Sequence, residues 1–155
     1  MTSYEDAQFD PPIESGLVVG HDGSGHGDAA LAFAVKDALR RGCPLHIVRA
    51  WVLSTAARDV AAPFGTVPSY AECEENVLVQ LAHSVATSVP ADLPVPVYQH
   101  VLHGPPAQAL IAASQHAELL VVGHRGRGGF VGLVLGSTAE QVLRHAHCPV
   151  VVVRS

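Results

Sequence analysis

Residues 123–137 read Gly-His-Arg-Gly-Arg-Gly-Gly-Phe-Val-Gly-Leu-Val-Leu-Gly-Ser. An apolar run, Leu119-Leu120-Val121-Val122, comes just before, and a helical pattern starts near Thr138. The order is strand, long glycine-rich loop, helix. A parallel α/β protein builds an anion site in this way. Glycine lets the backbone approach a ligand closely. The helix that follows offers unpaired N–H groups and the positive end of its dipole.

Upstream, the same alternation recurs. Leu17-Val18-Val19-Gly20 reads as a buried strand and ends in the turn formers His21-Asp22-Gly23-Ser24-Gly25. A helix follows, with Asp28 as its expected N-cap, Leu31, Ala34, Val35, Ala38 and Leu39 inward, and Gly42 after its last turn. Residues 44–52 read as the second strand and 53–68 as a long loop. Ser69-Tyr70-Ala71-Glu72 is a capping box. It opens a helix expected to turn Tyr70, Val77, Leu78, Leu81 and Val85 inward.

Residues 94–102 form a third strand, placed at a sheet edge by Pro94 and Pro96. A helix through residue 116, the strand at 119–122, a helix over 138–145 and a last strand at 149–153 complete the chain. Strands alternating with helices predict a five-stranded parallel sheet with helices on both faces. Right-handed crossovers favour the order 3-2-1-4-5. The order reverses between strands 1 and 4, where ligands of such sheets bind. The loops meeting there are 20–25 and 123–137.

Composition excludes several classes. A formal net charge of −5 argues against a general nucleic-acid binder. Lys36 is the only lysine, so no polybasic membrane anchor is expected, and no apolar run approaches the roughly 20 residues of a membrane helix. Residues 1–14 are acidic, unlike a signal peptide, and read as a flexible extension before a single domain over 15–155. Three widely spaced cysteines suit a reducing compartment, and the cytoplasm is the expected location.

Absent motifs narrow the chemistry. There is no G-x-x-x-x-G-K-[ST], and a dinucleotide fingerprint would place its glycines after the first strand and an acid after the second. The second strand ends instead in Ala50-Trp51-Val52. The spacing that remains is Gly123-x-x-Gly126, nine residues, then Gly136-Ser137.

With its flanks, this run resembles the universal stress protein family. The resemblance rests on 119–123, Gly126-Arg127-Gly128, Leu135-Gly136-Ser137-Thr138, His147-Cys148-Pro149 with the valines that follow, and Asp22-Gly23-Ser24 after the first strand. The glycine spacing is that of the family's ATP-binding branch. The resemblance implies a Rossmann-like, adenine nucleotide alpha hydrolase-like fold. It also implies a nucleotide-dependent stress-response regulator or sensor that binds ATP, with Mg²⁺.

By the same resemblance, Gly20 and Asp22 lie by the nucleoside, and Ala50 meets adenine through its backbone. Val122 and Gly123 end strand 4 beside the nucleoside, and Gly126, Gly136, Ser137 and Thr138 surround the phosphates. A homodimer is implied, its last strands, Val150–Val153, pairing antiparallel. The chemistry of the residues agrees with the placement. Gly126 and Gly136 can offer N–H groups and Ser137 a hydroxyl to phosphate. Asp22 can accept from ribose or help hold hydrated Mg²⁺, and Arg125 and Arg127 can offset phosphate charge.

Other readings stand beside this one. Ser137-Thr138-Ala139-Glu140 is also a capping box, so Ser137 can simply cap the last helix. A dimerisation module without nucleotide, a slow ATPase, and a protein that binds AMP or cyclic AMP remain, because a glycine loop recognises phosphate more than chain length. No catalytic group is identifiable. Ten histidines without metal-ligand spacing give no metal site. Trp51 is expected in the adenine wall or a subunit contact.

Overall fold

The computed structural model describes residues 9–53, 67–127, 132 and 134–155. The elements are β1 (Leu17–Gly20), α1 (Gly25–Arg41), β2 (Leu45–Trp51), α2 (Tyr70–Ser88), β3 (Val97–His103), α3 (Pro106–Ala113), β4 (Leu119–Gly123), α4 (Ser137–His145) and β5 (Val150–Val153). A 3-10 turn, Ser114–His116, replaces the expected last turn of the third helix. The sheet is parallel throughout, with order β3-β2-β1-β4-β5.

Alternate residues of each strand supply two core layers, as expected of a sheet covered on both faces. Leu17, Val19, Ile47 and Val121 pack with Leu31, Ala34 and Ala38 of α1 and Leu81 of α2. Val18, Val48, Leu120 and Val122 pack on the other face with Leu110 of α3 and Val142 of α4. Ile13 joins this second layer at 4 % exposure. The packed chain therefore begins inside the stretch read as an extension, whose residues 1–8 lie outside the described residues, as do 54–66 of the long loop.

Three local expectations are corrected. Ser24, not Asp28, caps α1: its side chain accepts from the Gly27 amide, and Asp28 sits in the first turn. Its hydroxyl reaches that amide because Asp22 holds Ser24 through both amide and hydroxyl. In α2 the buried stripe is Cys73, Val77 and Leu81, whereas Tyr70 and Leu78 are 51 % and 46 % exposed. Leu39 of α1 is likewise exposed. The box at Ser69 is present in both directions. Gly42 ends α1 at φ 64°, the left-handed region that glycine enters without penalty.

Beneath the sheet, His46 of β2 and His100 of β3 form a chain of ring contacts. His46 Nε2 lies 3.1 Å from the Ser15 carbonyl, which can only accept. That nitrogen therefore carries the proton, and His46 Nδ1 accepts from His100 Nε2 at 2.9 Å. Burial holds both rings below the ordinary histidine value of 6.5; the Ser15 carbonyl partly opposes this at His46, and the His46 ring adds to it at His100.

Because the folded state disfavours the protonated rings, they contribute stability above about pH 6.5 that is lost as pH falls. Urea or thermal melts at about pH 7.5 and pH 5 should show a drop of about 3 °C or more on acidification. His100→Ala should show less of that drop. A pH dependence equal in both proteins would remove the pair as its source.

Candidate functional site

The carboxyl ends of β1, β2 and β4 open into a cavity of about 370 Å³ at the point where the strand order reverses. Its position follows from topology, since the crossovers from β1 and β4 leave in opposite directions and open a crevice. All ten residues expected from sequence line it: Gly20, Asp22, Ala50, Val122, Gly123, Arg125, Gly126, Gly136, Ser137 and Thr138. Pro106, Leu110 and Leu135 supply an apolar wall, and His21, Gly27, Val48, Arg49, Arg127 and Ala139 complete the lining.

Asp22 ties the two loops together. Its Oδ1 accepts from the Ser24 amide at 2.9 Å and from the Ser24 hydroxyl. Its Oδ2 accepts from the Arg127 amide at 2.9 Å, across 105 residues of sequence. Burial opposes the charge, but these three hydrogen bonds, with the neighbouring His21, outweigh it and hold the carboxyl below its ordinary value. Beside it, His21 Nε2 lies 2.8 Å from Asp28 Oδ1, and His21 Nδ1 accepts from the Gly23 amide at 3.3 Å.

The glycines act here by close approach. Neither Gly126 nor Gly136 has a positive φ. A Cβ on Gly126 would lie 2.7 Å from Asp22 Oδ2, and one on Gly136 3.3 Å from the Arg125 Cα. The Gly136 amide, expected to face a ligand, donates to the His124 carbonyl at 2.7 Å. That bond fixes the end of the loop. Among the described residues, no side chain caps the first-turn N–H groups of α4, which are donors of this corner: Gly136 is the N-cap and Ser137 the first helical residue. The Ser137 capping box is thus not formed.

Arg49 was not anticipated. It is 3 % exposed, yet it lines the cavity. Burial, then the charge of Arg127, depress its basicity, and Asp22 partly restores it. The signal was present in Leu-His-Ile-Val-Arg-Ala-Trp: a cation inside a strand buried on both faces, next to the switch point. Trp51 does not line the cavity. It is fully buried against Cys73 and Val77, with the Tyr70 and His103 rings 5.1 and 4.4 Å away. Among the described residues, no helix is long and apolar enough to cross a membrane, and no group of three or more His, Cys, Asp or Glu is placed to hold a metal.

Residues 16–154 match the Universal stress protein family. Universal stress protein Rv2005c of Mycobacterium tuberculosis is 36 % identical over 150 residues, covering 97 % of this chain and 49 % of the relative. The chain therefore spans about half the length of the curated relatives it matches. Among solved structures, universal stress protein UspA from Lactobacillus plantarum superposes with TM-score 0.65 at 21 % identity, over 93 % of this chain and 100 % of that one. A universal stress protein in complex with cAMP superposes with TM-score 0.57 at 24 % identity, over 92 % and 98 %.

Proposed function

Because the chain belongs to the universal stress protein family, we propose that its cavity holds an adenine nucleotide, in its fullest form ATP with Mg²⁺, and that the protein is a nucleotide-dependent stress-response regulator or sensor. The observation that carries this reading is the convergence of both turn-rich loops on one cavity at the switch point. The adenine lies between the Ala50 backbone, Val122 and the Leu110 wall. The ribose faces Asp22. The phosphates lie over Gly126 and the first turn of α4, where the Ser137 and Thr138 N–H groups and the Arg125 charge meet them.

Asp22 is the one carboxylate of the described lining. That suits Mg²⁺, which takes one or two carboxylates and completes its octahedron with phosphates and water. Steady turnover is not part of this reading. The complex of a structural neighbour with cAMP favours cyclic AMP as the second ligand to try. Free Cys43, Cys73 and Cys148 support a reducing compartment, the cytoplasm. The open edge of β5 supports a homodimer.

The test is a thermal melt with and without Mg-ATP, AMP or cyclic AMP, followed by mass spectrometry of nucleotide released on denaturation. Ligand at about 100 times its Kd should stabilise the fold by about 2.7 kcal/mol. No shift with any nucleotide, and none released, leaves the dimerisation-module reading in its place.

A further inference from the structure

Three arginines and one carboxylate are the arginines and acids of the described lining, and the arginines are not in one place. Arg125 belongs to the α4 corner, its Cα against Gly136. The other two converge at the turn after β1. A Cβ on Gly23 would lie 2.6 Å from Arg49 Nη1 and 2.9 Å from Arg127 Nη2. Arg49 reaches this turn from β2, and Arg127 from the glycine loop. The two guanidiniums thus arrive from separate elements, and Arg49 does so with almost no solvent contact.

Their nearest anion is Asp22, which already accepts three hydrogen bonds from Ser24 and the Arg127 amide. A carboxylate has about four acceptor positions. A carboxylate so engaged does little for the buried Arg49 guanidinium, and a buried cation lining a cavity is costly until an anion joins it; the exposed Arg127 brings a second fork beside it. Glycine at position 23 lets both forks pack against the turn, where a side chain would displace them, and its φ of 83° disfavours other residues.

We propose that Arg49 and Arg127 form a second anion locus that takes a phosphate ester on the 2′ or 3′ oxygen of the nucleotide's ribose. The preferred ligand then carries phosphate on both sides of its sugar, one at the α4 corner and one at the Gly23 turn. This inference rests on the reading that the ribose faces Asp22. A planar guanidinium fork suits a phosphate monoester, and two forks give more donors than one ribose hydroxyl can use. The locus makes Arg49 and Arg127 specificity-determining residues for the ribose substituent.

Titration calorimetry on the full chain tests this with three probes: AMP, adenosine 2′,5′-bisphosphate and adenosine 3′,5′-bisphosphate. One bisphosphate should bind about ten-fold or more tightly than AMP, as charge-assisted hydrogen bonds give. Arg49→Met and Arg127→Gln should each reduce that ratio towards one. The Arg127 side chain is exposed and its contact with Asp22 uses the backbone, so Arg127→Gln keeps the test decisive even where Arg49→Met fails to fold.

AMP binding with no preference for either bisphosphate overturns the ribose-phosphate locus while leaving the nucleotide reading standing. A preference unmoved by Arg127→Gln overturns the assignment to these arginines. No binding of AMP or of either bisphosphate overturns the nucleotide reading itself, and the locus with it.

Discussion

Gly126→Val is expected to weaken Mg-ATP binding by about 100-fold or more, equivalent to about 2.7 kcal/mol, while leaving the fold in place. The reason is local. Position 126 has no positive φ, so valine meets no backbone penalty there. Its Cβ, however, would lie 2.7 Å from Asp22 Oδ2. The carboxylate must swing away, the bond from the Arg127 amide at 2.9 Å is lost, and two methyl groups enter the mouth of the cavity. One hydrogen bond to a charged carboxylate is worth about 1.5–3 kcal/mol, so the nucleotide-free melting temperature should fall by several degrees with the fold retained.

Calorimetry and mass spectrometry of co-purified nucleotide, on wild type and variant together, measure the effect. A variant that melts normally and binds Mg-ATP as tightly as wild type would mean that the ligand does not lie against Gly126.

The parts of the fold legible in the sequence were those with a period or a punctuation mark. Apolar runs gave the strands, and Gly42 marked a helix end where it was expected. Alternation of strand and helix gave the topology, because handedness leaves few alternatives. Caps were less legible. Asp28 and Ser137 both have the right chemistry, but Ser24 and Gly136 hold the cap positions. The first choice was decided by a local turn bond, in which Asp22 holds Ser24 two residues on, and the second by a bond across the loop, from the Gly136 amide to the His124 carbonyl.

The site was legible to the extent that its backbone is. Glycines and turn residues announce where a chain bends, so the ten expected residues converge on one cavity. Side chains that enter from the middle of a strand carry no such mark. Arg49 was passed over because Ile47 and Val48 dominate its strand, and only its companions across the cavity give it meaning. Trp51 erred the other way. It was expected in the adenine wall or a subunit contact, but its ring packs on Cys73 and Val77 of α2 and does not line the cavity.

Val152→Pro is expected to convert the proposed homodimer into monomer, and the register of β5 says why this position is selective. The Pro149 and Val153 carbonyls accept from the Leu120 and His124 amides of the β4 side, each at 2.9 Å. In a parallel ladder, alternate residues point their backbone groups to the same neighbour. Val151 therefore faces β4, while Val150 and Val152 present their N–H and C=O groups to the open edge, where no described strand pairs.

Proline at 152 removes an outward donor and leaves the β4–β5 bonds intact. Proline at 151 removes an inward one and should weaken the sheet itself. The pair of variants separates assembly from folding. Sedimentation velocity should show monomer for Val152→Pro with circular dichroism close to wild type, and Val151→Pro should melt lower by circular dichroism. A Val152→Pro protein that remains dimeric at the same concentration would place the subunit contact elsewhere. An isolated apolar edge of four valines is a template for any extended chain. A second copy of the strand satisfies it by symmetry, since an antiparallel pair about a two-fold axis uses the same two outward residues from each side.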